Sequence, residues 1–171
     1  AADDDDLLVL PMLEVGTLSA NLDQARYFSV PSPGGPNGLG ADAVGPLIVD
    51  ASHSPNTPTE PESILVTATV TETFNSVTEV MLNYRPMYAD IVTVPMRDDG
   101  QGGDATAGDG IYTAEIPAGI AQPGEMIRWY MTAKDANGLS GRAPVFANPA
   151  KDQEYFGTIV VDSSVQSNLP I

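Results

Sequence analysis

The chain has 171 residues, with 7 Lys and Arg against 23 Asp and Glu, a formal net charge of −16. That charge repels nucleic-acid phosphates and anionic headgroups, so neither nucleic acid nor a membrane is expected as a partner. At 42% hydrophobic residues the chain is still too apolar for a disordered acidic tail. Without cysteine it has no disulfide, thiol nucleophile or thiolate metal ligand, and no apolar run reaches the roughly 18 residues needed to span a bilayer.

Residues 1–45 read as an extended N-terminal segment and linker. Ala1-Ala2 has the small side chains that a signal cleavage or a cut in a longer precursor leaves behind. Four aspartates, Asp3 to Asp6, lead into the apolar run Leu7, Leu8, Val9, Leu10, Pro11, Met12, Leu13. Such a run can add as a strand to the edge of another subunit's sheet, with Pro11 confining it to an edge position, or pack on its own domain. The stretch from Pro31 to Gly38 then carries prolines at 31, 33 and 36, which exclude a helix or a central strand.

Residues 46–162 read as an all-β domain, with 163–171 as a C-terminal tail. Leu47 to Val49 predicts a first strand. Ile64, Val66, Ala68 and Val70 alternate with Leu65, Thr67, Thr69 and Thr71, and Val80, Leu82 and Tyr84 alternate likewise. Val92 to Met96, Tyr112 to Ile116, Ile127 to Lys134 and Tyr155 to Val161 complete seven strands of period 2. Turn residues separate them, among them Asp98-Asp99-Gly100, Asp109-Gly110, Pro123-Gly124 and Asn137-Gly138. Seven short alternating strands predict an immunoglobulin- or fibronectin-III-like β-sandwich, with the lone Trp129 in its core.

Several phrases resemble an immunoglobulin-like module of large exported bacterial proteins, where it adjoins CotH-type kinase-like and lamin-tail-like domains. They are Pro46-Leu47-Ile48-Val49-Asp50-Ala51-Ser52-His53-Ser54-Pro55, Pro95-Met96-Arg97-Asp98-Asp99-Gly100, Ala107-Gly108-Asp109-Gly110-Ile111-Tyr112-Thr113-Ala114, Ile127-Arg128-Trp129-Tyr130-Met131-Thr132-Ala133-Lys134-Asp135 and Tyr155 to Val161. Arg26 to Gly38 is similar to the trailer that joins a lamin-tail-like domain to the module. The resemblance covers about three quarters of the chain. It implies a central hairpin between residues 95 and 114, an exported protein, and a catalytic domain lying beyond this chain, so no active-site residue carries over.

Among candidate sites, Asp98, Asp99, Asp104 and Asp109 fall within twelve residues, interleaved with glycines. Calcium takes six to eight oxygen ligands, and glycine lets a loop curl to aim them inward. The spacing is not that of an EF-hand, and ordinary Asp/Gly turn chemistry is the competing reading. The Asp3–Asp6 run is a second cation candidate or a solvated charge run. His53, the only histidine, falls in a Ser-rich, Pro-bounded turn, where neighbours in sequence do not make a triad. Pro61 between Glu60 and Glu62 suggests a loop rather than paired catalytic acids. The Lys and Arg residues are scattered along the sequence, with no nucleic-acid face.

These readings together predict a secreted, non-enzymatic structural or adhesion module of the bacterial cell surface, with protein, including copies of itself in a filament, as partner. The alternatives are an accessory domain of a larger CotH-kinase-like protein, or a carbohydrate-binding module using Tyr27, Tyr88 and Tyr130.

Overall fold

A computed structural model describes residues 9–11, 25–27, 43–145 and 155–165. The chain divides into two units, residues 1–44 with 146–153, and 45–145 with 154–171. In the first, β1 (Val9–Pro11) pairs antiparallel with β2 (Ala25–Tyr27), Val9 opposite Tyr27 and Pro11 opposite Ala25.

The second unit is all-β, in two antiparallel sheets compatible with a β-sandwich. One sheet has the order β3 (Leu47–Ser54), β4 (Ile64–Thr71), β7 (Ile111–Ile116). The other runs β10 (Phe156–Ile159), β8 (Met126–Asp135), β5 (Val77–Pro86), β6 (Val92–Pro95), and β9 (Ser140–Ala143) also pairs with β8. No helix long and apolar enough to cross a membrane occurs among the described residues.

Alternation decides which side chains go inside. On β4, Ile64, Val66, Ala68 and Val70 are buried, with the intervening residues half-buried or exposed. On β8, Ile127, Trp129, Met131 and Ala133 are buried. With Val80, Leu82, Tyr84 and Ile116 they form one core cluster drawn from both sheets. Trp129 is 2% exposed, as expected of a core residue. Burying its ring contributes on the order of 3–5 kcal/mol relative to alanine.

Among the described residues the unit has eight strands where the sequence predicts seven. The added one is β9, whose sequence Ser-Gly-Arg-Ala has no apolar alternation and buries only Ala143. β9 lines β8 at Met131 to Lys134 and β10 lines it at Met126 to Trp129, both opposite the side held by β5. Eight segments therefore occupy seven strand positions. Gly141 makes this edge possible: a Cβ there would collide with the carbonyl oxygen of Pro46 at the entry to β3.

β3 also differs from expectation. It extends through Ser54, with a register shift between Val49 and Ser52 where Asp50 takes a φ of 51°. This bulge inserts an extra residue and re-aims the strand beyond it. His53 consequently lies in a strand opposite Val66, and not in the turn that its Ser and Pro neighbours suggest.

Candidate functional site

The Asp/Gly-rich segment links the two sheets. β6 belongs to one sheet and β7 to the other, so residues 96–110 cross between sheets and the expected central hairpin is not an in-sheet hairpin. A single bridge between Arg97 and Thr113 ties the ends of the crossing, with both amides donating at 2.8 Å.

Within it three of the four predicted aspartates meet. Carboxylate oxygens of Asp98, Asp104 and Asp109 lie within 4.8 Å of one another. Asp99 stands apart, accepting from the Gln101 amide at 3.0 Å and from Arg97 Nη1 at 3.5 Å. Backbone amides feed the cluster. Asp98 Oδ1 accepts from the amides of Gly108 (2.6 Å) and Asp109 (3.2 Å), and Oδ2 from Gly110 (3.0 Å). Asp104, 8% exposed, accepts from the amides of Gly100 (2.5 Å) and Thr106 (3.4 Å). Asp109 accepts from the Ile111 amide at 2.9 Å.

Glycine is needed for this curl. Gly103 has a φ of 98°, and a Cβ there would lie 2.6 Å from Leu65 Cδ1. The arrangement is a loop folded around its own carboxylates. Each carboxylate also has lone pairs beyond these bonds, and three negative charges in contact attract a divalent cation. Of the four aspartates that both sequence readings named, Asp98, Asp104 and Asp109 meet and Asp99 serves a turn of its own.

His53 is the second place where sequence chemistry gathers. Its Nε2 lies 3.1 Å from Thr158 Oγ1, and Trp129 Nε1 donates to the same oxygen at 3.2 Å. The His53 ring meets Trp129 edge-on at 5.7 Å, and the Phe156 ring packs tilted against the same side chain at 4.5 Å. β3 supplies His53 from one sheet, while β8 and β10 supply Trp129 and Thr158 from the other. The hydroxyl can accept from the indole and donate to Nε2, which satisfies the indole N–H, the hydroxyl and Nε2 together. Ser52, beside His53 in sequence, instead bonds Thr67 Oγ1 at 2.8 Å.

Asp135 carries a role that the sequence did not signal. At 2% exposure it closes the β8–β9 turn, accepting from Asn75 Nδ2 (2.9 Å) and from the amides of Asn137 (2.9 Å) and Leu139 (2.8 Å). Burial pushes its pKa up, and these bonds with that of Gly138 outweigh it, leaving the carboxyl below its ordinary value. The only sequence sign was its place before Asn137-Gly138.

The remaining candidates separate. Glu62 accepts from the hydroxyl (2.7 Å) and amide (2.9 Å) of Thr59, which lower its pKa, and so serves a turn. Glu60 and Glu62 border a depression with room for about one water molecule. Tyr88 and Tyr130 have their rings against the guanidiniums of Arg128 (5.3 Å) and Arg142 (4.3 Å). Of the apolar run, Val9, Leu10 and Pro11 form β1; Leu7, Leu8, Met12 and Leu13, like Asp3 to Asp6, lie outside the described residues.

No family model matches this chain, and no curated protein matches it.

Proposed function

We propose that this chain is a non-catalytic structural or interaction module of the bacterial cell surface, built on a fibronectin-III-like sandwich. The observation that carries the reading is the engagement of His53: its Nε2 is held by Thr158 against Trp129, across the two sheets. A general base needs to reach a substrate proton, and the Nε2 of this half-buried ring is engaged by the buried Thr158. The three-strand sheet facing a sheet of four strand positions supports the sandwich type. The phrase resemblance supports export and attachment to further domains.

Calcium belongs to the same reading. Bound by Asp98, Asp104 and Asp109, it would pin the inter-sheet crossing, and one site filled at a hundred times its Kd adds about 2.7 kcal/mol. Melting temperature should therefore rise between chelator and millimolar calcium, and an unchanged value removes calcium from the account. For the sugar-platform alternative, the guanidiniums against Tyr88 and Tyr130 weigh against open stacking faces.

The test of the main reading is turnover. Purified chain is assayed on ester, peptide and glycoside substrates and on ATP with magnesium, beside His53→Gln and Asp104→Asn. Equal background rates are expected. Turnover that either substitution removes, at unchanged melting temperature, would overturn the reading.

A further inference from the structure

Four of the basic residues scattered along the sequence come together on one sheet face. Of the 7 Lys and Arg, Arg85 on β5, Arg128 and Lys134 on β8 and Arg142 on β9 share the outer face of one sheet. The register fixes this: Tyr84 and Trp129 pair facing inward, so their neighbours Arg85 and Arg128 pair facing outward. Lys134 is matched by Glu79 at 2.7 Å. Arg142 lies on Tyr130 and bonds the Pro144 carbonyl.

Arg85 and Arg128 are the anomaly. They stand directly opposite each other across β5 and β8, an arrangement of like charges that destabilises a sheet. In a chain with 23 carboxylate side chains, neither has a carboxylate partner among the described residues. Both are half-buried. Tyr88, 78% exposed, and Tyr155 hold the Arg128 guanidinium at 5.3 and 5.0 Å, and its Nη1 lies 3.5 Å from Tyr155 Oη. On the far side of Arg128 the paired residue is Gly157, which has no side chain of its own and is flanked by the Met126 thioether. Two arginines at opposed register positions, the Arg128 guanidinium oriented by rings, offer forks of donors suited to carboxylate oxygens.

We propose that Arg85 and Arg128 form a carboxylate-binding site, and that its occupant is the Asp3–Asp6 run of a second copy of this chain. The proposal rests on the reading of the protein as an interaction module and names its partner. Charge selects the occupant. A body at −16 repels long polyanions such as nucleic acid or sulfated polysaccharide, while a short run of four adjacent carboxylates matches the site locally. At about 0.15 M ionic strength the Debye length of about 8 Å screens repulsion between whole copies but not a contact pair. Donor and acceptor are different surfaces, so the contact is head-to-tail and propagates.

Sedimentation velocity on the full chain at that ionic strength, over a concentration series, tests the proposal. Two variants are compared: Arg85→Gln with Arg128→Gln, which keeps the acidic run, and Asp3→Asn, Asp4→Asn, Asp5→Asn, Asp6→Asn, which keeps the arginines. The wild type should associate with concentration, and each variant alone should stay monomeric with a melting temperature no lower than that of the wild-type monomer. Mixed in equal amounts, the variants restore a single junction and should give a species of about twice the monomer mass and nothing larger. A wild type monomeric throughout, association that survives in either variant, or a mixture that stays monomeric overturns the proposal. Binding of a uronic-acid polysaccharide by a monomeric wild type, lost in the arginine variant, also overturns it by assigning the site to carbohydrate. None of these outcomes touches the non-catalytic reading, which falls only if turnover is found.

Discussion

Two fastenings join the sheets of the second unit, and they are chemical opposites. The His53–Thr158–Trp129 contact carries no carboxylate, has Trp129 and Thr158 buried and His53 half-buried, and brings together side chains from three strands. The 96–110 crossing is anionic, largely exposed, and held by backbone amides aimed at its own aspartates. A buried contact resists change because any member left unpaired has lost its water. An exposed acidic loop can exchange its partners for water, salt or a cation. The first fixes the sandwich; the second leaves its stability open to solution conditions.

The largest expected effect comes from breaking the buried fastening. Trp129→Ala removes the ring that His53 and Phe156 pack against, and should cost about 3–5 kcal/mol in denaturant unfolding. Thr158→Val is the cleaner probe: it keeps the volume and strands the indole N–H and Nε2, at a cost of about 1–3 kcal/mol. A cost near zero would mean that the hydroxyl is not a shared partner.

In the crossing, Asp98→Ala removes the side-chain acceptor of three amides, of which Gly108 keeps the Asp98 carbonyl at 3.3 Å and Gly108 and Asp109 are exposed to water. About 1 kcal/mol is expected, below the cost of Thr158→Val. Asp109→Asn sharpens the contrast by sign. In chelator it relieves repulsion within the cluster and should raise the melting temperature slightly; in calcium it should lower it. The same sign in both conditions would show that no cation binds there.

The smallest effect is one of pH. The folded pKa of Asp135 is depressed, so its contribution is present above the unfolded carboxyl value and is lost as pH falls through the folded one. Denaturation midpoints of the wild type should drop across that acid range, and those of Asp135→Asn should drop less.

How far the sequence went follows the same division. Period-2 alternation placed Ile64 to Val70, Val80 to Tyr84 and Ile127 to Ala133 in the core, because burial of one strand face is written in every second residue. It could not place β9, which is held by the close approach of Gly141 to Pro46 rather than by apolar burial. Nor could it put His53 in a strand, since the Asp50 bulge that aims it is a backbone event. Asp98, Asp104 and Asp109 were legible as a group because glycines mark the curl. That Asp99 turns away, that Asp135 is buried, and that Arg85 faces Arg128 are consequences of register and crossing, which composition does not encode.

The direct test of the central claim is the state of His53 and the Trp129 indole by NMR. If histidine and tryptophan close the core through Thr158, the indole N–H should exchange slowly, and 15N shifts of neutral His53 should show Nε2 unprotonated and accepting. A rapidly exchanging indole N–H, with His53 Nε2 carrying its proton toward solvent, would contradict the account.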